Sequence, residues 1–150
     1  MAWGVLPCQA ARLVENTEPF ERKPEEFVSA LVMLPRTHQV LYAYKPDQSH
    51  PAASLTKLLN ALVFVKRNPS WNRVVSLLAQ DEVGGGRLRV KSGARLTIQD
   101  LFYYSVTASA NNAAMALIRL SGLSRTQFLA QMNKEAKTIG ATHSRFVDAS

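Results

Sequence analysis

The stretch from Ser54 to Arg67, SLTKLLNALVFVKR, limits the folds open to this chain more than any other. It is long enough for a helix, and Pro69 stops it. On a 3.6-residue wheel, Leu55, Leu58, Leu59, Ala61, Leu62, Val63 and Val65 cover well over half the circumference. Thr56, Asn60 and Arg67 form a narrow polar stripe, with Lys57 at its edge beside Phe64. Such a helix is expected to be largely buried. The chain has the means to bury it: 150 residues, 47% of them hydrophobic and 19% charged, suit one domain with a real core and argue against disorder.

The rest of the chain supplies elements to pack around that helix. Residues 1–26 mix turn formers and charges and read as an irregular arm. FVSALVML, Phe27 to Leu34, ends at Pro35; RTHQ turns the chain, and VLYAYK, Val40 to Lys45, follows, which predicts a hairpin. After VVSLLA comes Gly84-Gly85-Gly86, read as a turn because Arg-Leu follows it where a phosphate cradle needs Lys-Ser/Thr. In RLRVK, Arg87, Arg89 and Lys91 alternate with apolar residues and predict a strand with a solvated basic face. Thr97 with Asp100 makes a capping-box pair for a helix through Val106. A second helix starts at Asn111 or Asn112 and ends at Gly122. Ser124 caps a third, which ends at Gly140. THSRFVDAS is predicted as a closing strand.

Several function classes lose support at this level. The formal charge is +7, yet the basic residues are scattered and no nucleic-acid motif accompanies them. Cys8 is the single cysteine, so neither an internal disulfide nor a cysteine metal site is expected. His38, His50 and His143 lack ligand spacing and read as loop or surface residues. No run reaches the length of a membrane span. The first ten residues have no basic leader, so no secretory signal is expected in this chain.

Two short patterns carry chemistry. Ser54 and Lys57 stand three residues apart on one helix face, where the lysine amine reaches the hydroxyl. Burial favours the neutral amine, which can accept the serine proton and make a nucleophile. The same pair fits a serine N-cap followed by an ordinary rim lysine, and chance puts a Ser-x-x-Lys in about half of chains this long. Ser109-Ala110-Asn111 lies between two predicted helices, where a hydroxyl and a carboxamide from one short rigid piece can face a cleft. Here too both residue types are natural caps. Ser70-Trp71-Asn72 has the same three-letter form and reads as a turn.

Order and flanking sequence distinguish these readings. PAASLTK, then GARLTIQDLFYYSVTASANNAAMAL, then FLAQMNKEAKTIGATHSRFVDAS together resemble the penicillin-binding serine D-alanyl-D-alanine carboxypeptidases of bacterial cell walls. The resemblance runs from about Phe27 to Ser150. It implies an α+β fold of the serine β-lactamase and penicillin-binding-protein type, a helical region plus an antiparallel sheet. It implies Ser54 as the acylated nucleophile, Lys57 as its general base, Ser109 as proton shuttle to the leaving nitrogen, and Asn111 as the substrate-binding residue. The Ser54 backbone N–H would be half of an oxyanion hole. No metal and no organic cofactor is implied. The implied partners are peptidoglycan stem peptides ending in D-Ala-D-Ala and β-lactams as covalent inhibitors, with an extracytoplasmic location.

The family's third motif, Lys-Thr-Gly on a later strand, has no counterpart after Asn111. Residues 27–150 are therefore expected to be the N-terminal portion of such a domain, with its sheet incomplete. Losing one oxyanion donor costs about a hundredfold to a thousandfold in rate. The alternatives are a non-catalytic remnant that binds wall peptide, a β-lactamase, and a D-Ala endopeptidase of the same superfamily. The residue after Asn111, often acidic in the family, is Asn112 here.

Overall fold

A computed structural model of the protein describes residues 28–150. The arm expected over residues 1–26, with Cys8, lies outside the described residues. The chain divides into two units, Met1–His50 and Pro51–Ser150. In the first, β1 (Ala30–Met33) pairs antiparallel with β2 (Val40–Tyr44), with a register shift between Val32 and Met33. This is the predicted hairpin, closed by Leu34 N–H donating to Gln39 O.

The second unit holds four helices and a second small antiparallel sheet. Helix α1 is Thr56–Val65, entered through a 3-10 turn at Ala53–Leu55. Strand β3 (Val74–Ser76) pairs with β4 (Arg95–Thr97), in the register Val74 opposite Thr97. Helices α2 (Ile98–Thr107), α3 (Asn111–Leu120) and α4 (Arg125–Thr138) follow. Local chemistry sets these ends. Thr97 accepts from Asp100 N–H while the Asp100 carboxylate accepts from Thr97 N–H, and Ser124 and Gln127 make the same reciprocal pair. The whole is α+β.

Two apolar clusters hold the helices together. Phe64, Leu77, Ile98, Leu101, Ala113 and Leu117 form one, joined by Trp71 and Phe102 in edge-to-face contacts. Val63, Ile118, Phe128, Met132 and Ala149 form the other. Buried Asp81 accepts two hydrogen bonds from Arg119 and one from Leu78 N–H, which fixes the loop after β3 to α3. Ser70-Trp71-Asn72 is a turn whose tryptophan belongs to the core.

Three sequence expectations need correction. The wheel of α1 is turned: Leu55 and Leu58 are 66% and 54% exposed, whereas Thr56, Lys57 and Asn60 of the polar stripe are buried. The stripe points inward because it has polar partners there. Asn60 Nδ2 donates to Ala114 O and Ala149 O. The basic run 87–91 is not a strand, although Arg87, Arg89 and Lys91 are exposed as expected. Instead the Asn112 carboxamide accepts from Leu88 N–H and donates to Leu88 O, both at 2.9 Å, as a strand partner would. The closing segment is likewise irregular. There the Asn133 carboxamide accepts from Phe146 N–H at 2.9 Å and donates to Phe146 O at 2.8 Å. In both places one asparagine satisfies an extended residue without a second strand.

Candidate active site

Ser54 sits in the 3-10 turn that leads into α1 and does not serve as an N-cap. No side-chain capping bond is made at Ala52 or Leu55, the cap positions of the turn and of the helix. Its hydroxyl is engaged elsewhere. Lys57 Nζ donates to Ser54 Oγ at 3.4 Å, and Ser109 Oγ donates to the same oxygen at 2.8 Å. Two residues 55 positions apart in the chain thus converge on one hydroxyl.

Helix geometry explains the first contact, since positions i and i+3 share a face. The second depends on the junction between α2 and α3. Ala108 ends α2, Ala110 is the N-cap of α3, and Ser109 between them has φ of 54°. Ala53, beside the nucleophile candidate, has φ of 46°. A left-handed conformation costs an L-residue about 1–2 kcal/mol. Two of the non-glycine residues that bear this cost therefore flank or belong to the hydroxyl pair, as expected where a side chain must be aimed.

Lys57 is 3% exposed. Burial lowers its pKa from the ordinary lysine value, and the Asp148 carboxylate partly opposes that shift. Asp148 stays charged readily: backbone N–H donation from Ser150 holds its pKa down. The amine is therefore biased toward its neutral form beside a serine hydroxyl. With the proton positions reversed, the same contact lets the lysine lone pair accept the serine proton. A length of 3.4 Å suits an unliganded site, where such contacts are often long.

A cleft of about 350 Å³ opens beside Ser54. Leu55, Leu58 and Val106 give it apolar walls, and Lys57, Ser105 and Ser109 its polar side. Asn111 does not line this cleft. It is the first residue of α3, and its carboxamide Nδ2 donates to Gly84 O at 2.6 Å. So the structure brings Ser54, Lys57 and Ser109 into direct contact and holds Asn111 two residues away on a separate anchor. Sequence reasoning missed Ser105, which is buried and lines the cleft, because nothing marks one helical serine among others. It also missed the part played by Asn112. That side chain is fully buried and donates to Glu82 Oε1 at 2.9 Å as well as clamping Leu88.

Comparison with known proteins places the chain in a family. A sequence profile of the D-alanyl-D-alanine carboxypeptidase family matches residues 21–150. The chain is 33% identical over 117 residues to a D-alanyl-D-alanine endopeptidase of Haemophilus influenzae, covering 76% of this chain and 40% of that protein. It is 30% identical over 122 residues to a D-alanyl-D-alanine endopeptidase of Escherichia coli, covering 80% of this chain and 39% of that protein. The chain thus spans about two fifths of the length of these relatives. Among solved structures, the D-alanyl-D-alanine carboxypeptidase DacD from Francisella tularensis matches with a TM-score of 0.72 and 26% identity, over 81% of this chain and 31% of that one. An ancestral class A β-lactamase matches at a TM-score of 0.63 and 22% identity, over 81% of this chain and 46% of that one, a likeness of fold alone. The chain belongs to the D-alanyl-D-alanine carboxypeptidase family.

Proposed function

We propose that this chain carries the nucleophile half of a serine peptidase that cleaves D-Ala-containing peptidoglycan stem peptides through an acyl-enzyme. Ser54 Oγ attacks the carbonyl of the penultimate D-alanine while Lys57 takes its proton. The backbone N–H of Ser54, at the start of a helical run, helps stabilise the oxyanion. Ser109 passes a proton to the departing nitrogen, and the C–N bond breaks to release the amine. Asn111 bonds the substrate backbone. Water then cleaves the ester and restores the Ser54 hydroxyl. No metal or organic cofactor enters this sequence, and β-lactams would be trapped on the same oxygen. The substrate places the reaction outside the cytoplasm, in the cell envelope.

The observation that carries this reading is the double engagement of Ser54 Oγ by Lys57 and Ser109 in place of helix capping. A second reading, endopeptidase cleavage of D-Ala cross-links, is favoured by the endopeptidase relatives at 30% identity or more. The DacF carboxypeptidase of Bacillus subtilis is 25% identical. Product analysis tests both. Incubation with a pentapeptide muropeptide is expected to release free D-alanine, whereas cross-linked dimers split into monomers identify the endopeptidase. Neither product should form with Ser54→Ala. Binding of both muropeptides without turnover, and without any penicillin adduct, would instead indicate a non-catalytic remnant.

A further inference from the structure

Outside the Ser54 cluster, the loop Gly84–Leu88 is tied to the start of α3 by several hydrogen bonds. The N–H of Asn111 donates to Gly86 O at 2.7 Å, and its Nδ2 donates to Gly84 O at 2.6 Å. Next along the chain, Asn112 grips both the N–H and the carbonyl of Leu88. The first two residues of α3 are thus registered on three alternate residues of one loop, Gly84, Gly86 and Leu88.

The loop also runs very close to Asn111. Gly85 has φ of 86°, and a Cβ there would stand 2.8 Å from Asn111 Nδ2. At Gly86 a Cβ would meet Ser109 O at 3.4 Å, while at Gly84 nothing lies within 4 Å. With one N–H committed to Gly84 O, the carboxamide cannot rotate freely. Among the described residues its Oδ1 and second N–H have no hydrogen-bond partner, which leaves them for a ligand.

We propose that the glycine loop is a positioning device for Asn111, with Gly85 the positioning residue on which the carboxamide's orientation depends. This deepens the proposed function, because it rests on Asn111 holding the substrate backbone. The loop acts by proximity: only a residue without a Cβ lets the backbone lie against the amide closely enough to fix it. A displacement of about 1 Å in a binding group costs about a hundredfold in rate.

Gly85→Ala in the full chain tests this, with Gly93→Ala as control. Gly93 has a matching φ of 87° and open space around its missing Cβ, so it reproduces the backbone strain without touching Asn111. Two readouts are needed: the NMR signals of the Asn111 side-chain amide, and the rate of acylation by a fluorescent penicillin. Gly85→Ala is expected to shift the amide signals and slow acylation by about tenfold to a hundredfold. Gly93→Ala should do neither. In an Asn111→Ala background, Gly85→Ala should change the rate by less than about twofold, since the coupled partner is gone. Unshifted amide signals, or an undiminished rate loss in the Asn111→Ala background, would overturn the proposal. If the unsubstituted chain takes no penicillin, the acyl-enzyme reading fails on its own, and the amide signals alone decide the positioning claim.

Discussion

Lys57→Met is expected to slow acylation of Ser54 by about a thousandfold, within the range that a positioned general base contributes. Methionine fills nearly the same volume and needs no hydrogen-bond partner, so the loss should not come with unfolding. In the unsubstituted chain the rate should rise with pH as Lys57 loses its proton. Because burial disfavours the ammonium form, the midpoint should lie below the ordinary lysine value. The sign for stability follows from the same shift. The fold disfavours protonated Lys57, so stability falls as pH drops from the ordinary lysine pKa to the depressed one. Lys57→Met should flatten that part of the profile. Penicillin labelling rates and thermal melts across the alkaline range check both statements. A rate that is unchanged in Lys57→Met would remove the lysine from the mechanism.

Asn112→Asp is expected to destabilise the second unit by about 3 kcal/mol, the loss of two buried donors. The Asn112 amide nitrogen donates to Glu82 Oε1 and to Leu88 O, both at 2.9 Å. A carboxylate donates to neither and faces Glu82 with like charge, in a site where Asn112 has no exposure. The deficit should shrink at acidic pH, as the pair of carboxyls takes up a shared proton and regains a donor. Adding Glu82→Gln should recover about 1–2 kcal/mol, because the glutamine amide can donate to the introduced carboxylate. Urea unfolding of the single and double variants at neutral and acidic pH measures all of this.

These residues show what the sequence revealed and what it did not. Helix ends were legible because the caps are local, as with Thr97 and Asp100 or Ser124 and Gln127. The contact between Ser54 and Lys57 was legible from their spacing, but the contact with Ser109 comes from 55 residues away. That α1 is largely buried was legible, but not that its polar residues face inward, because a polar stripe usually faces water. Here Asn60 faces inward to the carbonyls of Ala114 and Ala149, far along the chain. Two expected strands failed for one reason. Alternating or β-branched sequence favours an extended backbone without saying what pairs with it, and Asn112 and Asn133 supply that pairing from helices. The glycine triplet was read as a turn and forms a bend, but its closeness to Asn111 is a tertiary fact.

The central claim is that Ser54 is the residue that becomes acylated. Intact-mass spectrometry of the chain after incubation with benzylpenicillin tests it most directly, followed by peptide mapping of any adduct. One penicilloyl group per chain, mapped to Ser54 and absent from Ser54→Ala, is the predicted result. No adduct at saturating penicillin, or an adduct that survives in Ser54→Ala, would contradict it.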